Sequence, residues 1–246
     1  MSYSVILPTL NEAGHIIQLV NEISDTLLKT NEKFEVIIVD DSSTDKTPEL
    51  CTKLDKEKEN VFFFSRSGQK KNLADSINLG IEKSKYENII WLDADFQHPP
   101  EYISSFHKYI DKHDLIIFSR FLNQSKRYFE DEKFKKEINE NQSVLFNKIC
   151  RIFLYKDLSD YTSGFICIKK KIFNNYKLKG YYGEYFVDLI NHCKTQNFSI
   201  MELPFNEKAR FSGISKTYPE FSLKYIILLN KYMICLIKNI FKKWTK

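Results

Sequence analysis

Phe34-Glu35-Val36-Ile37-Ile38-Val39-Asp40-Asp41-Ser42-Ser43-Thr44-Asp45-Lys46-Thr47-Pro48 is the stretch that decides the fold. Its first six residues form a short run rich in branched apolar side chains, as expected of a strand buried on both faces. Two aspartates end the run, and Thr47-Pro48 opens a helix, since proline is favoured in a first helical turn. The same alternation recurs along the chain. Residues 3–7 read as a strand ended by Pro8, and residues 12–28 carry Ile16, Leu19, Val20, Ile23 and Leu27 at helical spacing, with Asn11 as the expected cap. Strands are expected at 61–64, 88–92 and 115–118, with helices at 72–84 and 101–112 between them. Strands alternating with helices predict βαβ units, and therefore an α/β, Rossmann-like domain with a mostly parallel central sheet.

Beyond residue 122 the pattern changes. Residues 123–141 are strongly charged and have no strand signal, so a solvated helix or a loop acting as a lid is expected there. A short helix to Tyr155, a strand at 164–169, a helix at 184–193 and a strand at 200–203 follow. The five cysteines are scattered without a C-x-x-C pair, which excludes a sequence-readable zinc site or disulfide framework. The net charge of +5 is concentrated at one end, because residues 221–246 hold six lysines and no acid, leaving the body near neutral. That argues against a nucleic-acid partner. Met1 runs directly into a strand pattern without a leader-like segment, so the catalytic part is expected in the cytoplasm.

Two acidic clusters follow buried strands, where open α/β sheets bind ligands. In Asp93-Ala94-Asp95 the carboxylates alternate and can offer oxygens to a hard cation, Mg²⁺ or Mn²⁺, that keeps positions open for diphosphate. The competing reading is a turn or a helix cap. Asp40 and Asp41 can accept hydrogen bonds from a base or ribose, or they can simply belong to a cap-rich helix entry. A phosphoacceptor or phosphatase domain would also place adjacent acids after a strand. It would place them after the first strand, which here ends in Pro8-Thr9-Leu10-Asn11-Glu12.

In order along the chain, Val5-Ile6-Leu7-Pro8-Thr9-Leu10-Asn11-Glu12, Val39-Asp40-Asp41-Ser42-Ser43-Thr44-Asp45-Lys46-Thr47 and the Asp93/Asp95 run resemble the three signatures of family 2 glycosyltransferases. Asp93 to Glu101, Ser119-Arg120-Phe121, Thr162-Ser163-Gly164-Phe165 and Arg210-Phe211-Ser212-Gly213-Ile214-Ser215-Lys216 resemble its polyprenol-phosphate, dolichol-phosphate mannose synthase-like branch. The resemblance implies a glycosyltransferase A-type fold over residues 1–217 and inverting transfer from a nucleoside-diphosphate sugar to a polyprenyl phosphate. Other acceptors it leaves open are a hydroxyl-bearing glycan or glycolipid, and a non-catalytic nucleotide-sugar scaffold is a further alternative.

By that resemblance Pro8, Leu10, Glu12, Asp40, Asp41, Arg66 and Lys71 bind the donor nucleotide together with Asp93, Ala94 and Asp95. Asp93, Asp95 and Gln97 hold the metal. Arg120, Ser143, Arg210 and Lys216 face the diphosphate and the acceptor phosphate, Asp95, Arg120, Arg210 and Lys216 being the catalytic set, with Gly213 letting a loop close. The chain departs from the branch at Leu10, where an aromatic is usual, at Ile166, where arginine is usual, and in lacking an arginine shortly before Ser143. For a hydroxyl acceptor the nearby bases are Glu184 and Asp188, which read equally as helix-surface acids.

Residues 218–246 form the second expected unit. Lys224, Lys231 and Lys238 are spaced by sevens and make one polar stripe on an otherwise apolar helix at 225–241. That helix is too interrupted to span a bilayer and suits the cytoplasmic membrane surface. Core packing, a homo-oligomer or a membrane-protein partner are the alternatives.

Overall fold

The computed structural model describes residues 1–122, 133–180, 183–208 and 223–245. Among these residues seven strands form one sheet: β1 (Ser2–Thr9), β2 (Lys33–Asp40), β3 (Val61–Ser65), β4 (Asn88–Trp91), β5 (Leu115–Ser119), β6 (Ile166–Lys169) and β7 (Ile200–Pro204). Six α-helices accompany them among the described residues: α1 (Ile16–Leu28), α2 (Thr47–Glu57), α3 (Leu73–Lys83), α4 (Lys133–Phe153), α5 (Tyr185–Thr195) and α6 (Leu223–Trp244). The strand order is β3-β2-β1-β4-β6-β5-β7. All pairings are parallel except those of β6, which runs antiparallel to both β4 and β5.

The strands read from apolar runs are all present. Strands β4 and β5, and β2 from Glu35 onward, are buried throughout, as continuous branched runs require. The predicted face of α1, Ile16, Leu19, Val20, Ile23 and Leu27, faces one side of the core. A second cluster on the opposite face gathers Ile6, Ile89, Trp91, Ile166 and Leu189, and includes Leu236 of α6.

Three local expectations are corrected. Strand one does not stop at Pro8 but continues to Thr9. Thr9 accepts from the Asp41 N–H on the β2 side, so Pro8 faces the other way, past the last β1–β4 pair, Ile6 with Trp91. A missing N–H costs nothing there. Asn11 is not the cap of α1, because it is left-handed (φ 56°) and its side chain accepts from the Thr44 N–H, while the helix begins after His15. The helix expected at 101–112 is a 3-10 helix, Pro100–Lys108. In the charged stretch, helix α4 accounts for residues from Lys133 onward, and 123–132 lie outside the described residues.

The order places the topological switch point between β1 and β4, because the chain winds outward through β2 and β3 on one side before crossing to the other. The crevice at the carboxyl ends of strands beside such a point is where ligands bind in open α/β sheets.

Candidate active site

The turns after β1, β2 and β4 open into that crevice. Each carries a residue other than glycine in the left-handed region: Asn11 (φ 56°), Ser42 (φ 64°) and Phe96 (φ 66°). For a bulky residue such as Phe96 that conformation is strained and persists only where the surroundings impose it. Hydrogen bonds tie the turns together. The N–H groups of Asn11, Glu12 and Ala13 donate to Ser43 Oγ (2.7 Å), Thr47 Oγ1 (2.8 Å) and Asp45 Oδ2 (3.2 Å). From the first turn His15 reaches the third, its Nε2 lying 2.7 Å from the Ala94 carbonyl and 3.1 Å from Glu12 Oε2. The Glu12 carboxylate raises the pKa of His15, against the opposing effect of burial.

Within the Asp93-Ala94-Asp95 turn, Asp93 is half-buried and Asp95 is buried, with its Oδ1 accepting from the Gln97 N–H at 3.0 Å. The Asp93 N–H donates to Nδ1 of His98 at 3.0 Å, so His98 closes the turn as an acceptor. Burial, with the ring stacked on Phe165 at 5.0 Å, lowers the His98 pKa to about 4 and keeps it neutral. Sequence reasoning did not single out His15, and it included His98 in the Asp93 to Glu101 motif without giving it a role.

After β2, Asp40 accepts from the Ser43 hydroxyl and from its N–H (3.0 Å). Asp41 is paired with Arg66 and accepts from the Asn72 N–H at 2.6 Å. Burial raises the Asp41 pKa, opposed by the Asn72 N–H and by Arg66. Arg66 also donates to the Asn72 carbonyl (3.0 Å) and Ser76 Oγ (3.1 Å), so it braces the start of α3. Lys71 is exposed, whereas Pro8 and Leu10 are half-buried at the mouth of the β1 turn.

The other wall exists because β6 is antiparallel. Its preceding segment, Thr162 to Phe165, thereby lies beside the carboxyl ends of β4 and β5, with the Phe118 N–H bonded to the Phe165 carbonyl (2.9 Å). Gly164 turns left-handed there (φ 68°), next to the His98 ring and the Tyr185 hydroxyl. Arg120 is clamped by Asp160, donating from Nε and Nη2 at 2.9 Å each and from its own N–H at 3.1 Å. Nη2 also reaches Thr162 Oγ1 (2.7 Å), and Nη1 lies 3.5 Å from Glu207. Burial acts to raise the Asp160 pKa, but the Arg120 charge and its hydrogen bonds prevail and hold it below the usual carboxylate value. Ser143 joins this cluster through Asn147, whose Nδ2 bonds both the Ser143 carbonyl (2.9 Å) and Thr162 Oγ1 (3.2 Å). Asp160 and Glu207 were missed from the sequence, since nothing local marks them as partners of Arg120.

Of the two base candidates, Asp188 is turned to the back of the domain, bonded by the Tyr176 hydroxyl (3.1 Å) and Lys242 (2.7 Å). Glu184 is buried beside Gly180, at the start of α5. Arg210, Gly213 and Lys216 lie outside the described residues.

Among the described residues no three His, Cys, Asp or Glu side chains converge as a closed metal cage. A half-buried and a buried aspartate two residues apart are hard oxygen donors that suit Mg²⁺ or Mn²⁺, which completes its shell with water and substrate oxygens rather than with an all-protein cage. The residues present therefore fit such an ion.

A sheet of this order, with one antiparallel strand inserted beside the switch point and an acidic turn at its crevice, is the glycosyltransferase A-type fold. It is shared with glucosyl-3-phosphoglycerate synthase from Mycobacterium tuberculosis, whose complex with Mn²⁺, UDP and glucosyl-3-phosphoglycerate superposes with a TM-score of 0.66 at 14% identity, covering 97% of this chain and 80% of that one. The complex of that enzyme with Mg²⁺ and UDP gives 0.66 at 15% identity, covering 97% and 79%. The chain belongs to glycosyl transferase family 2, whose profile matches residues 4–177. It is similar to the dolichol-phosphate mannosyltransferase of Pyrococcus furiosus, at 27% identity over 227 residues. The match takes in 92% of this chain, which spans 62% of the length of that relative. A protein of the same name from Saccharomyces cerevisiae is 23% identical over 241 residues, covering 95% of this chain and 88% of the relative.

Proposed function

We propose that the chain transfers a sugar from a nucleoside-diphosphate sugar to a polyprenyl phosphate, with inversion at the anomeric carbon and dependence on a divalent ion. The observation that carries this reading is the position of Asp93 and Asp95, on a braced turn in the β1/β4 crevice. Family membership supports the donor class, and the names of the Pyrococcus and Saccharomyces relatives support the acceptor class.

In this reading Asp93, Asp95 and Gln97 hold the ion, which when bound offsets charge on the departing nucleoside diphosphate. Pro8, Leu10, Glu12, Asp40, Asp41, Arg66 and Lys71 line the nucleoside side. Arg120 and Ser143 face the acceptor side, and Arg210 and Lys216 are assigned there by their motif. A fixed guanidinium aimed at phosphoryl oxygens stabilises the transition state in a water-poor site. An acceptor phosphate is ionised near neutral pH and needs no general base. That agrees with the engagement of Asp188 at the back of the domain, bonded to Tyr176 and Lys242.

Residues 1–217 then make the catalytic unit, with α6 as its docking helix on the cytoplasmic membrane face. Helix α6 buries Leu236 and Asn239 against α5, where Asn191 donates to Asn239 at 2.8 Å, and it exposes Met233, Ile234, Ile237, Phe241 and Trp244. Among the described residues no helix is long and apolar enough to cross a membrane.

The test is a panel of nucleotide sugars, each with and without Mn²⁺, read by thermal stabilisation and by transfer of label into an organic-extractable, mild-acid-labile lipid. The active donor stabilises the protein only with metal, and Asp95→Ala removes both stabilisation and transfer. If no donor binds at saturating Mg²⁺ or Mn²⁺, the reading is wrong. Label appearing in an acid-stable glycan or glycolipid would instead select a hydroxyl acceptor.

A further inference from the structure

His15 touches both ends of the donor site described above. It stands in the turn after β1 with a side-chain exposure of 1%, its ring 5.8 Å from that of Phe96. A carbonyl oxygen only accepts, so the 2.7 Å contact with Ala94 fixes the proton on Nε2, and that N–H donates to the Ala94 carbonyl with Glu12 Oε2 close by at 3.1 Å. Glu12 is itself held, since its N–H donates to Thr47 at 2.8 Å and its carbonyl accepts from Ile16 at 3.0 Å. Ala94 is the residue between the two aspartates, so the orientation of its peptide sets where both carboxylates project.

The turn that His15 holds is a strained one. Phe96 is left-handed two residues after Ala94, so the segment has relaxed alternatives available unless something imposes this one. His98, farther along the same loop, accepts from the Asp93 N–H, and His15 grips the turn from the β1 segment. Anything that fixes Glu12 thus also fixes Ala94, and the reverse holds equally.

We propose that His15 is a positioning residue that couples the nucleoside pocket to the metal turn through the contact chain Glu12–His15–Ala94, so that a nucleoside and a divalent ion each tighten the binding of the other. The inference rests on the donor and metal assignments made under the proposed function. A diphosphate would chelate the ion directly and mask this protein-borne link. A nucleoside without phosphates isolates it.

The experiment titrates uridine and guanosine into the whole chain by ligand-observed NMR, with and without Mg²⁺, and titrates Mg²⁺ by calorimetry in the presence and absence of the nucleoside that binds. Wild type is expected to show mutual tightening of about fivefold or more, the lower end of ordinary coupling between sites. His15→Leu keeps the ring's packing volume but has no donor, and is expected to bind both ligands with tightening below about twofold, judged against that same coupling range. His15→Gln carries an amide N–H as many bonds from Cα as Nε2 and is expected to restore most of the coupling. Should the leucine chain fail to fold, glutamine against the shorter asparagine gives the same comparison, with coupling kept by the first and lost in the second. Equal tightening in wild type and His15→Leu overturns the inference, as does wild type binding both ligands without mutual effect. If Mg²⁺ does not bind wild type at all, the metal assignment fails and this inference with it, an outcome distinct from the other two.

Discussion

Replacing Asp160 with asparagine removes the carboxylate from a buried ion pair while leaving its shape. Asp160 is fully buried and Arg120 keeps only 12% of its side-chain surface. The change strips the charge from the three bonds that Asp160 accepts from Arg120, at 2.9, 2.9 and 3.1 Å, and replaces one of its two accepting oxygens with an amide NH₂ that faces donors. Deleting one partner of a buried pair costs about 3–5 kcal/mol. Glu207, 3.5 Å from Nη1, remains as partial compensation, so the lower end applies, about 3 kcal/mol. For a domain of this size that is a fall in Tm of about 6–12 °C. The assay is urea unfolding of both chains from pH 8 down to pH 3. The folded Asp160 pKa lies below its unfolded value of about 3.9, so its stabilisation is fully present above that value and is lost as pH falls through the folded pKa. The difference between the chains is therefore flat at neutral and mildly acidic pH and shrinks below about pH 4. In a cycle with Arg120→Met the double variant is destabilised by less than the sum of the singles. A neutral-pH difference under about 1 kcal/mol, the range of an exposed pair, or a gap that widens toward acid, would refute the description of Arg120 as held by Asp160.

Three further outcomes follow from packing and exposure. Gly80→Ala should destabilise by about 1–3 kcal/mol in denaturant, despite alanine's better helix propensity, because the added Cβ would sit 2.5 Å from Ile6 Cγ2; a stabilised variant would mean that β1 and α3 are less closely packed. Leu236→Ala should cost about 2–5 kcal/mol in the main unfolding transition, since its side chain is in the core cluster behind the sheet. Unchanged stability there would detach α6 from the domain. Phe241→Ser with Trp244→Ser, at 66% and 78% exposure, should leave stability within about 0.5 kcal/mol. The same pair should lower co-sedimentation with anionic phospholipid vesicles at least about tenfold, from the apolar area withheld; equal sedimentation would remove α6 as a membrane contact.

The pattern of these expectations follows what a sequence can and cannot carry. Val36 to Val39 and Leu115 to Phe118 were readable as strands because a strand buried on both faces must be apolar throughout, and that is a local requirement. The direction of β6 was not readable, since Ile166 to Lys169 has the same composition whether it runs parallel or antiparallel. Yet that direction is what brings Thr162 to Phe165 against the crevice. The aspartates at 93 and 95 were legible from their spacing. The partnership of Arg120 with Asp160, forty residues apart, was not, because nothing in either neighbourhood specifies the other. Asn11 shows the same limit on a smaller scale: a residue suited to capping a helix is used instead to receive an N–H from the β2 turn. Phe96 goes further, because no propensity places a phenylalanine at φ 66°. The residues just before it are held by His98, through a bond that closes within the turn itself, and by His15, through a bond that exists only once β1 and β4 lie side by side. Pairing of the two strands thus sets the geometry of the acidic turn before any ligand arrives, and the strain of a left-handed phenylalanine is borne by the folded domain rather than by the binding step.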